Sequence, residues 1–184
     1  MQRIYPLNRS LTVNFSLILL TICSLVACKN DATVNEDNRE PVVTTFYLIR
    51  HAEKDRENPE NPDPELNQDG LTRAMQWANI FEPLALDAIY STNYERTSMT
   101  AAPTSVKKDI DIKYYEPDMD IESFKKENEG LNVLVVGHSN TTPVIANQLL
   151  GFEKYSQMDD NDNSSLFIIR IINGNATDIR LSMD

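Results

Sequence analysis

Two uncharged runs rich in β-branched side chains, each followed closely by a histidine, constrain this chain more than any other feature. Val42-Val43-Thr44-Thr45-Phe46-Tyr47-Leu48-Ile49 leads into Arg50-His51, and Val133-Leu134-Val135-Val136 leads into Gly137-His138. Such short apolar runs predict strands buried on both faces. Helical spacing fills the chain between them, and strands alternating with helices predict an α/β fold, a three-layer α/β/α sandwich on a largely parallel sheet. Sheets of this kind bind ligands just past the carboxyl ends of their strands. The only two histidines of the chain both stand at such positions.

The remaining elements follow from periodicity and punctuation. Residues 55–65 are Pro- and acid-rich and read as a loop. A helix is expected from Asn67, with Leu71, Ala74, Met75, Ala78 and Phe81 at helical spacing. Residues 88–90 and 110–115 read as strands, 96–106 and 121–129 as helices. After His138, Thr142 and Pro143 suit the N-cap and first position of another helix. Residues 166–172 and 177–181 predict a closing strand pair around Asn173-Gly174. Asp159-Asp160-Asn161-Asp162-Asn163 fails as a calcium loop, because Ser164 replaces the glycine and Arg170 stands where the bidentate glutamate belongs. It reads as a solvated loop.

The first 27 residues have the form of a processed leader. Arg3 and Arg9 precede an apolar stretch that ends in Leu25-Val26-Ala27-Cys28, which resembles the lipobox of bacterial lipoproteins. That resemblance implies an acylated Cys28 at the start of the mature chain. A plain membrane-spanning anchor is the alternative, since the uncharged run 10–28 is just long enough to cross a bilayer. Residues 28–41 then form a polar tether, and 42–184 the folded domain. Either reading puts the domain outside the cytoplasm, in the cell envelope, with the outer membrane mildly preferred because Lys29 is not the aspartate associated with inner-membrane retention. Cys23 is removed with the leader and Cys28 is consumed by lipid, so the mature domain has neither disulfide nor thiolate. The leader takes two of the 17 basic residues and none of the 28 acidic ones, leaving −13 in place of −11. Nucleic acid is an unsuitable partner for such a surface.

Between the two histidine segments lies Ser91-Thr92-Asn93-Tyr94-Glu95-Arg96-Thr97-Ser98-Met99-Thr100-Ala101. With Arg50-His51-Ala52-Glu53 before it and Gly137-His138-Ser139 after it, three blocks stand in the order typical of the histidine phosphatase superfamily, also called the phosphoglycerate mutase-like family. Ser91, Arg96, Thr100 and Ala101 are in register with its middle block, and Leu66, Gly70 and Ala74 fit its first helix loosely. The resemblance spans 45–151 and implies a phosphoglycerate mutase-like fold. It implies that His51 is the nucleophile, that Arg50, Arg96 and His138 form the phosphate pocket, and that no metal or other cofactor is needed. The residue types suit that chemistry. A neutral imidazole can hold a phosphoryl group covalently, like-charge repulsion from arginines lowers an imidazole pKa, and guanidiniums match phosphate oxygens.

A departing oxygen needs a proton, which the family draws from a carboxylic acid. The longer members carry it in an insertion after the arginine helix. This chain offers only Glu116, Asp118 and Asp120 there, with Glu116 preferred because it closely follows an expected strand end. Ser139 after His138 does not support the acid-phosphatase branch with its His-Asp pair. The expected activity is hydrolysis of a phosphorylated small molecule or residue. A phosphoglycerate mutase-like transferase and a non-catalytic anion- or partner-binding lipoprotein are the alternatives.

Overall fold

The computed structural model describes Gln2 and residues 40–183, and the chain from Glu40 onward forms a compact unit of its own. The leader, Cys28 and all of the tether before Glu40 lie outside the described residues. Six strands form one sheet: β1 (Val43–Arg50), β2 (Ala88–Ser91), β3 (Ile112–Tyr114), β4 (Asn132–Gly137), β5 (Ser165–Ile172) and β6 (Asn175–Ser182). Their order is β3-β2-β4-β1-β5-β6, parallel from β3 to β1 and antiparallel across β5 and β6. Among the described residues four helices accompany it: α1 (Gln68–Phe81), α2 (Glu95–Lys108), α3 (Ile121–Glu127) and α4 (Thr141–Leu150).

Alternation along the central strands builds two cores, one on each face of the sheet. Phe46 and Leu48 of β1 join Val133 and Val135 of β4 against Phe124, Ile145 and Leu149. Ile49, Leu134 and Val136 pack instead against Trp77 and Phe81 of α1. Three layers result, as the run-and-helix pattern predicts. Asn173 (φ 49°) and Gly174 (φ 81°) both take left-handed conformations in the β5–β6 turn. Their residue types tolerate this, and it matches the twist of a two-residue hairpin.

Two local expectations are corrected. In α1 the buried face is Gly70, Ala74, Trp77, Ala78 and Phe81, whereas Leu71 and Met75 are exposed. Helical spacing fits either of two adjacent stripes, and the bulk of Trp77 turns the helix onto its own. Gly70 sits where a Cβ would lie 2.1 Å from the Glu53 carbonyl oxygen, so α1 starts in direct backbone contact with the loop after β1. The last helix has Asn140 as its N-cap, so Thr142 and Pro143 lie inside the first turn. Pro143 is tolerated there because first-turn amides have no intrahelical partner.

Topology positions the functional end. β1 and β4 lie side by side in parallel, with Arg50 opposite Gly137, while Ser91 of β2 lies opposite Val136. The connections from β1 and β4 leave this edge in different directions, which opens a crevice at their carboxyl ends.

Candidate active site

The register Arg50 opposite Gly137 carries the two histidines to adjacent positions, and the His51 amide donates to the Gly137 carbonyl at 2.9 Å. Their rings lie 5.5 Å apart, centroid to centroid, tilted by 66°. His51 is 4% exposed, and its Nδ1 lies 2.7 Å from the Ala52 carbonyl oxygen. A carbonyl only accepts, so Nδ1 carries the proton and Nε2 keeps the lone pair. Two further contacts hold this turn in place. Ala52 N–H donates to Thr100 Oγ1 (2.9 Å), and Asn163 Nδ2 donates to the His51 carbonyl (2.7 Å).

His138 follows β4, and its Nε2 lies 2.9 Å from Thr92 Oγ1. The Thr97 hydroxyl donates to the carbonyls of Thr92 and Tyr94, so it accepts from Thr92 Oγ1 at 3.0 Å. With its own proton spent, Thr92 accepts from the imidazole, and His138 Nε2 is the protonated nitrogen. Tyr94 packs edge-on to this ring at 5.1 Å, and the Arg96 guanidinium lies over the Tyr94 ring at 4.5 Å.

Both imidazoles are neutral near pH 7. Burial pushes the His51 pKa down to about 3, opposed by the Ala52 carbonyl and reinforced by Arg50, His138 and Arg96. Burial also leads for His138, at about 4, with Arg96 and Arg50 adding to it. Burial therefore outweighs the arginine repulsion expected from the sequence.

Each arginine is tied at its far end to a carboxylate. Arg50, 2% exposed, gives Nη2 to Asp160 (2.8 Å) and Nη1 to the Asp159 and Asp162 carbonyls (3.0 and 3.4 Å). Arg96 gives Nη1 to Asp63 at 3.1 Å, and Asp63 also accepts from the Glu95 amide at the start of α2. The Nε atoms of Arg50 and Arg96 are buried without a partner. A buried N–H left unpaired costs roughly 1–3 kcal/mol unless a ligand or water meets it. Two such guanidinium donors beside two neutral histidines, one with a free Nε2, suit a tetrahedral oxyanion.

The structure thus brings Arg50, His51, Arg96 and His138 to one end of the sheet. Glu116 lies at the same end, two residues past β3, since the Tyr115 amide bonds to the Ser91 carbonyl. It is exposed, and its carboxylate makes no bond among the described residues. Asp120 instead caps α3 through Ser123. Thr92 and Asn163 join the site through His138 and the His51 carbonyl. Thr92 lies within the middle sequence block, whereas nothing local marks Asn163. The acidic 159–163 segment is not a merely solvated loop, because it holds Arg50. Among the described residues, no three His, Cys, Asp or Glu side chains gather as metal ligands.

The family model for the histidine phosphatase superfamily, branch 1, matches residues 46–117, which include Arg50, His51 and Arg96. Over this segment the chain is similar to that superfamily. Solved structures repeat its fold, which is phosphoglycerate mutase-like. The protein histidine phosphatase SixA, solved with tungstate, is 14% identical, with a TM-score of 0.61 over 75% of this chain and 96% of that one. A phosphoserine phosphatase variant from Entamoeba histolytica, solved with phosphoserine, is 17% identical, with a TM-score of 0.60 over 73% and 94%. A mycobacterial glucosyl-3-phosphoglycerate phosphatase is 11% identical, with a TM-score of 0.56 over 77% and 100%. No curated protein sequence matches the chain.

Proposed function

We propose that this chain is a member of the histidine phosphatase superfamily, a phosphatase that works through a phosphohistidine on His51. The observation that carries the proposal is the grouping itself: His51 Nε2 with its lone pair, His138 5.5 Å away, and the two buried, unpaired Nε donors of Arg50 and Arg96. Nε2 attacks phosphorus as the bond to the leaving oxygen breaks, and Glu116 supplies that oxygen with its proton. Water then attacks the phosphohistidine, returns a proton to Glu116 and releases inorganic phosphate. The guanidiniums stabilise charge on the transferring group throughout. His138 becomes a second donor once the phosphoryl dianion raises its pKa, because its Nε2–H is already given to Thr92.

The substrate in this reading is a phosphorylated small molecule or a phosphorylated residue, the kind of substrate that SixA and the phosphoserine phosphatase are named for. Cys28 carries the lipid anchor, and the domain works in the cell envelope, outside the cytoplasm.

The test is turnover of a phosphoester panel by the wild-type protein and His51→Ala. The variant should lose all activity yet stay folded, since the residue lies past the end of β1 and not within the sheet. Acid quench should destroy the phosphoenzyme and alkaline quench preserve it, as befits a P–N bond. An acid-stable phosphoenzyme, or activity surviving in the variant, overturns the mechanism.

A further inference from the structure

The segment after α4 contacts the site from outside all three sequence blocks. Within five residues, 159–163, four make bonds to the Arg50-His51 turn. The Asp159 and Asp162 carbonyls accept from Arg50 Nη1, Asp160 Oδ1 accepts from Nη2, and Asn163 Nδ2 donates to the His51 carbonyl. The loop is itself fixed from behind. Asp162 accepts from the Ser165 amide (3.0 Å), from Ser165 Oγ (2.7 Å) and from Arg180 Nη2 (2.8 Å). Asp160 Oδ2 pairs with Arg56 at 2.7 Å.

A guanidinium has five N–H donors in a rigid fork. Three acceptors at the Nη end leave the Nε edge as the unsatisfied side, and Arg50 Nε is buried without a partner. We propose that the 159–163 loop is a positioning device for phosphoryl transfer: its acceptors turn the Nε edge of Arg50 toward the phosphate, and Asn163 fixes the backbone that carries His51. Asp160, Asp162 and Asn163 act through Arg50 and His51 and are positioning residues. The inference rests on the phosphatase reading for its kinetic consequence and not for its geometry.

Asp160 provides the test, because its side chain is 62% exposed and its removal leaves the core intact. Charge and orientation predict opposite effects. Deleting a carboxylate beside two arginines strengthens anion binding, whereas releasing Arg50 weakens transition-state stabilisation. Asp160→Asn keeps an oxygen for Nη2 and removes only the charge, so its kcat should stay within about twofold of wild type while KM falls. Asp160→Ala removes the acceptor, and its kcat should fall on the order of tenfold or more with no rise in KM. Thermal melting should be close to wild type for both variants. Equal kcat in Asp160→Ala and wild type overturns the proposal, and so does an equal loss in Asp160→Asn and Asp160→Ala.

A second measurement needs no turnover. Inorganic phosphate should shift the Arg50 Nε–H resonance of the wild-type protein, and shift it less in Asp160→Ala. If no phosphoester is hydrolysed and this difference is found, the phosphatase reading fails and the loop's role stands. An Nε–H response identical in the two proteins overturns the positioning role whatever the activity.

Discussion

A histidine that attacks phosphorus must keep its lone pair, and burial secures this for His51 before any charged neighbour contributes. The consequence extends to stability. His51 and His138 have folded-state pKa values of about 3 and about 4, below their ordinary 6.5. Below pH 6.5 the unfolded chain takes up protons at these positions that the folded chain refuses, so stability falls as pH drops from about 6.5 toward 4. The slope approaches about 1.4 kcal/mol per pH unit for each histidine. Most carboxylates titrate lower, which leaves pH 5 to 6.5 as the window in which the histidines dominate. Urea unfolding at pH 6.5 and pH 5 should show this loss in the wild-type protein and much less of it in a His51→Gln/His138→Gln double variant. Equal losses in the two proteins would mean that the histidines are not held neutral by the fold. The identities of these residues were legible because a buried strand followed by Arg-His or Gly-His is a local pattern. The order of causes behind the pKa was not, since burial of a side chain is decided by the whole fold.

Secondary structure was readable where the signal lay within one element. β1, β4 and the Asn173-Gly174 hairpin follow from uninterrupted apolar runs and from turn chemistry. The buried face of α1 is not fixed by spacing, because Leu71 and Met75 continue a helical stripe as well as Trp77 does, and only packing against Ile49 and Leu134 decides between them. The 159–163 loop was illegible for a deeper reason: its partner Arg50 lies 109 to 112 residues away, joined to it by no periodicity. The short connection from β3 to α3 matters most for chemistry. Asp120 is committed there to capping α3, while Glu116 is exposed with its carboxylate unbonded among the described residues. A proton donor helps most when the leaving oxygen is a poor one, by roughly 10² to 10⁴-fold. Glu116→Gln should therefore depress alkyl phosphate turnover strongly and spare an aryl phosphate, whose oxygen leaves as its anion. Equal losses on both substrates would make Glu116 a binding or folding residue, and no loss on either would pass the role to Asp118 or to water.

At the scale of the whole molecule, charge and site pull in opposite directions. The chain carries −11, or −13 after a cut before Cys28, yet Arg50 and Arg96 keep unpaired donors at one end of the sheet. Screening reconciles the two, since surface charges beyond about 8 Å contribute little at physiological ionic strength and the pocket sets its own potential. The same net acidity gives the protein no overall attraction to anionic lipid headgroups. Among the described residues no helix is long and apolar enough to cross a bilayer, and the uncharged run 10–28 lies outside them. The Leu25-Val26-Ala27-Cys28 sequence supplies the alternative, a lipid on Cys28. Two or more acyl chains anchor a protein stably, whereas one does so only marginally. Growth with a labelled fatty acid should therefore mark the wild-type protein, and it should sediment with membranes even in high salt, where an electrostatic attachment would dissolve. Cys28→Ala should lose the label and accumulate as an uncleaved or unanchored precursor. A wild-type protein that takes up no fatty acid, or that salt releases from the membrane, would end the lipoprotein reading and leave the phosphatase site untouched.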